Sequence, residues 1–218
     1  LRTKLIPKGW GATHWSSGCI DVLGYHPLNS KTPLDNPLNG MESLVKENPT
    51  HPYAFLDMQE LSQALEAFRI LCREANYPMQ GSLDKNVLLP TALGALRPTC
   101  LAPDTMLAGD GSSSETMLLV GFERYLDFYP HFAAANLSQQ GIPAEAVRLE
   151  LPGLASTLRI DMMKLTQLFE QPEFRAEVAE AIKPHLGKAA RVGFPAVLGR
   201  KNPIEVLRDL ESRLGRRV

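Results

Sequence analysis

His14, Ser16, Ser17 and Gly18 are of types that can hold or transform a small molecule. They stand in GWGATHWSSGCIDVLG, residues 9–24, a stretch of glycines and small hydroxyl side chains. Such stretches join elements and let a backbone approach a ligand closely. Hydrolytic chemistry would need more. A nucleophilic serine requires a base within hydrogen-bond reach and an acid behind it, and the chain has no G-x-S-x-G elbow. His14 beside Ser16 and Ser17 is nearness in sequence, not a triad. The histidines at 14, 26, 51, 131 and 185 lack metal-ligand spacing, and His131 has no ligand-type residue one helical turn on. Cys19, Cys72 and Cys100 are odd in number and far apart, which argues against a disulfide framework or a C-x-x-C site and for a reducing compartment. Cys19 is expected to be a buried small hydrophobe.

The dinucleotide fingerprint G-x-G-x-x-G is absent. Gly9 and Gly11 have its first spacing, but His14 stands where the third glycine belongs. Gly109 and Gly111 lie in a serine-rich loop, and LLVGFERY carries one glycine only. The chain therefore has no pyrophosphate cradle of its own. If a first strand and glycine turn came before it, RTKLIPKGWG would suit the second strand of a doubly wound domain, whose end lies near the adenosine ribose. Ser-Ser-Gly could then run back along the pyrophosphate, with backbone N–H groups and hydroxyls as donors.

Several elements must position these residues. A short strand is expected within 1–9 and irregular chain from 25 to 40, where prolines and asparagines crowd. MESLVKEN reads as a short helix. A longer helix is expected over 58–75, with Asp57 as N-cap, Glu60 completing a capping box, and Leu61, Ala64, Leu65, Phe68, Leu71 and Cys72 on one face. Two antiparallel strands are expected at 79–89 and 94–101. Residues 102–116, APDTMLAGDGSSSET, have the composition of a mobile hinge. Beyond it the rhythm is strand (MLLVGF), helix (123–140, ending at Gly141), strand (AEAVRLEL), helices (157–170 and 172–186), strand (ARVGFPAV) and a last helix begun by Pro203. That alternation predicts an α/β fold, a parallel-rich sheet with flanking helices over about 116–218, beside a smaller α+β part with antiparallel strands. The expected division is 1–30 as a remnant of a dinucleotide or flavin domain, 31–115 as a cap or substrate region, and 116–218 as the α/β lobe.

Composition sets outer limits. The 218 residues are 44% hydrophobic and 22% charged with a formal net charge of −1, ordinary globular usage that allows one sizeable core, or a domain plus part of another. No broad surface attracts nucleic acid or an anionic membrane. The basic end, Arg208, Arg213, Arg216 and Arg217, suits a helix C-terminus. No apolar run approaches the roughly 18 residues of a membrane span, and no signal peptide is visible.

The text KGWGATHWSSGCIDVLG resembles the corresponding stretch of the B-subunit family of anaerobic glycerol-3-phosphate dehydrogenase. The resemblance continues, in order, through HPYAFL (51–56), MQGSLDKNVLLPTALGALRPTCLAP (79–103) and LLVGFERYLDFYPHFAAANLSQQGI (118–142). It implies a Rossmann-type flavoprotein whose other flavin-binding segments lie before Leu1 and after Val218. The chain would then be the middle portion of a longer protein, inactive alone and holding no cofactor by itself, with FAD or FMN bound by the parent. The resemblance also implies two partners, a catalytic flavoprotein subunit and an iron–sulfur membrane-anchor subunit of the same complex. The reaction would be oxidation of glycerol 3-phosphate to dihydroxyacetone phosphate with electrons passing to a quinone. The location would be cytoplasmic, peripheral at the inner face of the membrane through a partner.

Carried over residue by residue, the resemblance places Lys8 and Gly9 at the ribose end and Ser16, Ser17 and Gly18 near the pyrophosphate or ring; His14 would face the ring or simply pack, and an ordinary helix-capping turn is the competing reading of Ser-Ser-Gly. Lys8 stands where an acidic residue ordinarily binds ribose hydroxyls, which leaves FMN open beside FAD. His51, Arg97 and Thr99 are the substrate candidates. Arg97 offers a guanidinium fork to a phosphate ester, and a strand arginine paired with a carboxylate is the competing reading. Asp127 lies in YLDF, beyond the carboxyl end of MLLVGF, where crevices form. Tyr125, Phe128 and Tyr129 read as core or interface. The alternative to a flavoprotein portion is a cofactor-free α/β module that docks another subunit.

Overall fold

The computed structural model describes residues 2–4, 6, 8, 9, 17–199 and 201–218. Residues 2–4, 6, 8 and 9 carry no strand, so the one expected within 1–9 is not found among the described residues. Helix α1 (Pro37–Glu47) begins three residues before the end of the stretch expected to be irregular. Asn36 decides this: its side chain accepts from the Asn39 N–H at 3.0 Å, and Pro37 fits the first turn, where no N–H is needed. Helix α2 (Met58–Glu74) starts as expected, with Asp57 Oδ1 accepting from the N–H groups of Gln59 (2.7 Å) and Glu60 (2.9 Å). Its apolar stripe is only half used. Leu61, Leu65 and Cys72 pack against the cluster of Met79, Leu83, Cys100 and Leu101, while Ala64, Phe68 and Leu71 are exposed.

The two expected antiparallel strands are four short ones: β1 (Met79–Gly81), β2 (Val87–Pro90), β3 (Leu96–Thr99) and β4 (Leu101–Pro103). β1 pairs with β4, and β2 with β3, both antiparallel. The break after β1 follows from the tight turn closed by the Ser82–Lys85 bridge. It follows also from Gly81, at φ 126°, where a side chain would run into the Cys100 carbonyl.

The second half alternates as the sequence predicts. Strand β5 (Met117–Phe122) lies between β6 (Ala144–Leu149) and β7 (Arg191–Gly193), parallel to both. All six residues of β5 are buried, as a central strand covered on both faces requires. Helix α3 (Pro130–Gln139) connects β5 to β6; α4 (Met162–Phe169) and α5 (Pro172–Ile182) connect β6 to β7; α6 (Pro203–Leu214) follows. α3 starts seven residues later than expected, because Pro130 cannot sit inside a helix and disfavours helical backbone at Tyr129. It ends as expected at Gly141, φ 80°, with Ile142 N–H reaching back to Leu137 O at 3.1 Å. α4 is shorter than the 157–170 expected, since Asp161 caps it through the Lys164 N–H at 2.8 Å. Phe122, Leu137, Leu165, Phe169, Ile182 and Leu210 form the middle of one continuous core.

The segment expected to be a mobile hinge is held fast. Asp104–Gly109 is a 3-10 turn, and Arg191, 1% exposed at the start of β7, binds the chain after it. Its guanidinium donates to the carbonyls of Ala108 (2.9 Å), Asp110 (2.6 Å), Ser113 (3.3 Å) and Glu115 (3.0 and 3.1 Å). Burial lowers its pKa and nearby Asp110 opposes that shift. One side chain thus ties the parallel sheet to the loop that leads from the antiparallel strands.

Candidate functional site

A cavity of about 820 Å³ lies between the antiparallel strands and the β7 side of the parallel sheet. Its volume is that of a small-molecule or cofactor pocket. Met106, Met117, Leu119, Phe194 and Leu198 give it apolar walls, and Ser17, Tyr77, Thr91, Thr105 and Asp127 bring polar groups to it. β5 and β7 border it along their length, from Met117 and Arg191 at their starts to Tyr125, Asp127 and Phe128 and to Phe194–Ala196 beyond their carboxyl ends, where parallel strands open toward crevices.

Ser17, Arg97 and Thr99, three residues singled out from the sequence, line this one cavity. Arg97 Nε donates to Asp21 Oδ2 at 3.2 Å, its Nη2 donates to the same oxygen, and its Nη1 donates to Ser17 Oγ. The carboxylate pairing that the sequence allowed for Arg97 is therefore present. Thr99 is fully buried, and its hydroxyl donates to Ile20 O at 3.1 Å. The backbone between them is pinned as well: Ile20 N–H bonds Leu101 O (2.9 Å), and Cys100 and Leu101 N–H both reach Ile20 O (3.0 Å each).

Gly18 adopts φ 82°, and a Cβ there would stand 2.7 Å from Tyr77 Oη. The positive φ favours glycine, and Gly18 stands between Ser17 and Cys19, both of which line the cavity. Burial raises the Tyr77 phenol above its ordinary value, with Cys19 and Cys72 adding to it, so the hydroxyl stays a proton donor. Cys19 is buried, its sulfur 3.8 Å from Met106 Sδ. Burial first, then Asp21 and Asp84, push Cys100 up to about 11. Asp127 is in a loop, not one turn into a helix, and pairs with Arg159 at 2.9 Å. Tyr125 and Phe128 are core, as expected; Tyr129 is exposed with Arg148 stacked 5.5 Å from its ring centroid.

The remaining candidates do not join this group. His51 is not among the cavity-lining residues; its Nδ1 accepts from the Tyr53 N–H at 3.1 Å and caps the Pro52–Phe55 turn. Lys8 and Gly9 are exposed. His14 and Ser16 lie outside the described residues. Asp21, Tyr77 and Met106 were not singled out from the sequence. Asp21 stands in the same quoted loop as Ser17, but its partner is 76 residues away. Tyr77 follows α2 by three residues and carries no motif.

A flavin would fit this arrangement. Ser17, Thr91 and Thr105 bring hydroxyls to it, and the walls formed by Met106, Met117, Leu119 and Phe194 are apolar enough for a planar ring. Among the described residues, no pair in the cavity has the geometry of an activated nucleophile, and no group of three His, Cys, Asp or Glu could hold a metal ion.

Comparison with known proteins bears on the same region. The family model for the FAD binding domain matches residues 1–217. The chain is 28% identical over 224 residues to the anaerobic glycerol-3-phosphate dehydrogenase B subunit of Pectobacterium atrosepticum, which aligns with 100% of this chain and 53% of that protein. It is 32% identical over 230 residues to the probable anaerobic glycerol-3-phosphate dehydrogenase B subunit of Halobacterium salinarum, covering 99% of this chain and 52% of the relative. The Yersinia pestis B subunit is 28% identical over 220 residues, 96% of this chain and 51% of its own length. The chain spans about half the length of the curated relatives it matches. No solved structure matches.

Proposed function

The chain belongs to the FAD-binding domain family, and on that premise we propose that it is a portion of a flavin-dependent oxidoreductase acting on glycerol 3-phosphate, the substrate its relatives are named for. The observation that carries this reading is the Ser17–Gly18 turn, fixed at the rim of a largely apolar cavity of about 820 Å³. In this reading Lys8 and Gly9 face the ribose end, and His14, Ser16, Ser17 and Gly18 follow the pyrophosphate and ring. FAD is the favoured form, by family. The bound flavin supplies the hydride acceptor. The chain's own residues orient it and exclude water: Ser17 and the Gly18 backbone offer polar contacts, while Met106, Met117 and Phe194 shape the wall. The product would be dihydroxyacetone phosphate. Electrons would leave through a catalytic flavoprotein subunit and an iron–sulfur membrane-anchor subunit of a complex at the inner face of the membrane. Among the described residues no helix is long and apolar enough to cross a membrane.

A polypeptide of the relatives' full length is the test. It is expected to purify with flavin absorbance, and Ser16→Ala with Ser17→Ala is expected to lower its flavin content at least several-fold. Full retention in the double variant would overturn the site assignment. A colourless protein would overturn the flavin reading and favour a second one, a cofactor-free module that docks another subunit. One observation supports that second reading: Leu158 (93% exposed) and Met163 are exposed on the α/β lobe beyond β6.

A further inference from the structure

Arg97 is, by residue type, the best candidate to grip a phosphate, yet its environment describes a different task. Two of its nitrogens bind one carboxylate and a third binds a hydroxyl, both on the segment 17–21. Both carboxylate bonds end on the one oxygen Oδ2 and are charge-assisted, while the pair itself is half-exposed. Thr99, two residues along the same strand and on the same face, holds the segment's middle through Ile20 O. Ile20 is bonded from both backbone directions to Cys100 and Leu101. Below, Cys19 is packed on Met106; alongside, Tyr77 Oη closes on Gly18. A ligand phosphate would have to displace Asp21 to reach the fork. The pair as it stands has no net charge, so it offers a dianion little attraction.

We propose that Asp21 and Arg97 are a positioning pair. They hold the Ser17–Gly18 turn as a fixed ledge at the cavity rim, ready for the cofactor, and take no direct part in binding substrate phosphate. Pre-ordering the ledge removes an entropic cost that the ligand would otherwise meet. This rests on the reading of Ser17 and Gly18 as flavin contacts, so the experiment separates the two.

Amide hydrogen exchange over residues 17–21 and 97–101 is measured in the 218-residue chain, for the wild type, Asp21→Asn, Arg97→Gln and the charge-swapped pair Asp21→Arg with Arg97→Asp. Inorganic phosphate is titrated into each. Flavin retention is measured in the full-length polypeptide carrying the same changes. Each single variant is expected to speed exchange of the Ile20 amide by about two- to fivefold, the scale of a lost half-exposed ion pair. Flavin retention should fall in parallel, phosphate affinity should stay within about twofold, and the swapped pair should recover part of both losses. Unchanged exchange in Asp21→Asn would overturn the proposal. So would a gain in phosphate affinity in Asp21→Asn that Arg97→Gln lacks, because freeing the guanidinium would then have exposed an anion anchor. Faster exchange with flavin fully retained would leave the ledge standing and remove its assignment to the flavin.

Discussion

Asp209 shows how single residues are set by their neighbours. Its carboxylate joins Arg175, whose side chain is 4% exposed, and Arg213 at 2.9 Å. Burial pushes the carboxyl pKa up, but hydrogen bonds from Arg175 and Arg213 outweigh it and hold the group below its ordinary value. A depressed folded-state pKa stabilises the fold above the unfolded value, about 3.9. That contribution is lost as pH falls through the folded value. Asp209→Asn should therefore cost about 2–3 kcal/mol at pH 7 in urea unfolding, since it strands a buried arginine. The gap from wild type should close toward about pH 2; an equal gap at both pH values would show the linkage to be wrong. The thiols offer a second reading at this scale. Cys100, held up to about 11, has roughly one thiolate in ten thousand at neutral pH. Timed alkylation followed by intact mass should label half-buried Cys72 first, and Cys19 and Cys100 only on unfolding.

At the scale of elements, glycines at similar φ make different demands. Gly94 (φ 77°) turns the chain between β2 and β3, and a Cβ there would run into the Ala133 carbonyl of α3. Gly141 (φ 80°) ends α3 with nothing within 4 Å of that position. Gly141→Ala should cost only the left-handed backbone term, about 1–2 kcal/mol. Gly94→Ala adds a steric clash and should cost about 3 kcal/mol or more. Thermal melts of the two variants compare them directly, and equal losses would mean that the Gly94–Ala133 approach is unimportant. Element boundaries follow the caps. Asp57, Asn36 and Asp161 each start a helix, and all three are legible as N-cap types. The late start of α3 is legible too, in Pro130, a breaker that outweighs the helical pattern before it. The four-way division of the antiparallel strands was not legible, because it depends on which strand each short segment finds.

For the whole molecule, Arg191 is one tie between the two halves, beside the Asn136 and Gln140 amides that donate to Leu93 O and Gly94 O. Replacing Arg191 with methionine would leave four loop carbonyl groups short of a donor, and the expected loss is about 2 kcal/mol or more. Exchange of the 108–115 amides should rise before global unfolding. Arg191→Lys should not restore it, since one ammonium cannot span carbonyls from Ala108 to Glu115. Full rescue by lysine would mean that charge, not the fork's reach, holds the loop. The hinge-like composition of that loop is real. What fixes it is a residue about 80 positions further on.

Periodicity, punctuation and residue type in the sequence by themselves determined the parallel α/β half, the Asp57 cap, the buried state of Cys19 and the ligand-type composition of residues 9–24. These are local properties, written in spacings of two to four residues. The tertiary structure alone decided that Ser17, Arg97 and Thr99 share one cavity, that Asp21 occupies the Arg97 fork, that His51 stands apart, and that the serine-rich loop is fastened by Arg191. Each of these depends on partners brought together across dozens of residues, and a guanidinium carries no mark in the sequence of which oxygens will meet it. Only folding settles whether an arginine is left to bind a ligand or is taken up by the protein's own carbonyls and carboxylates.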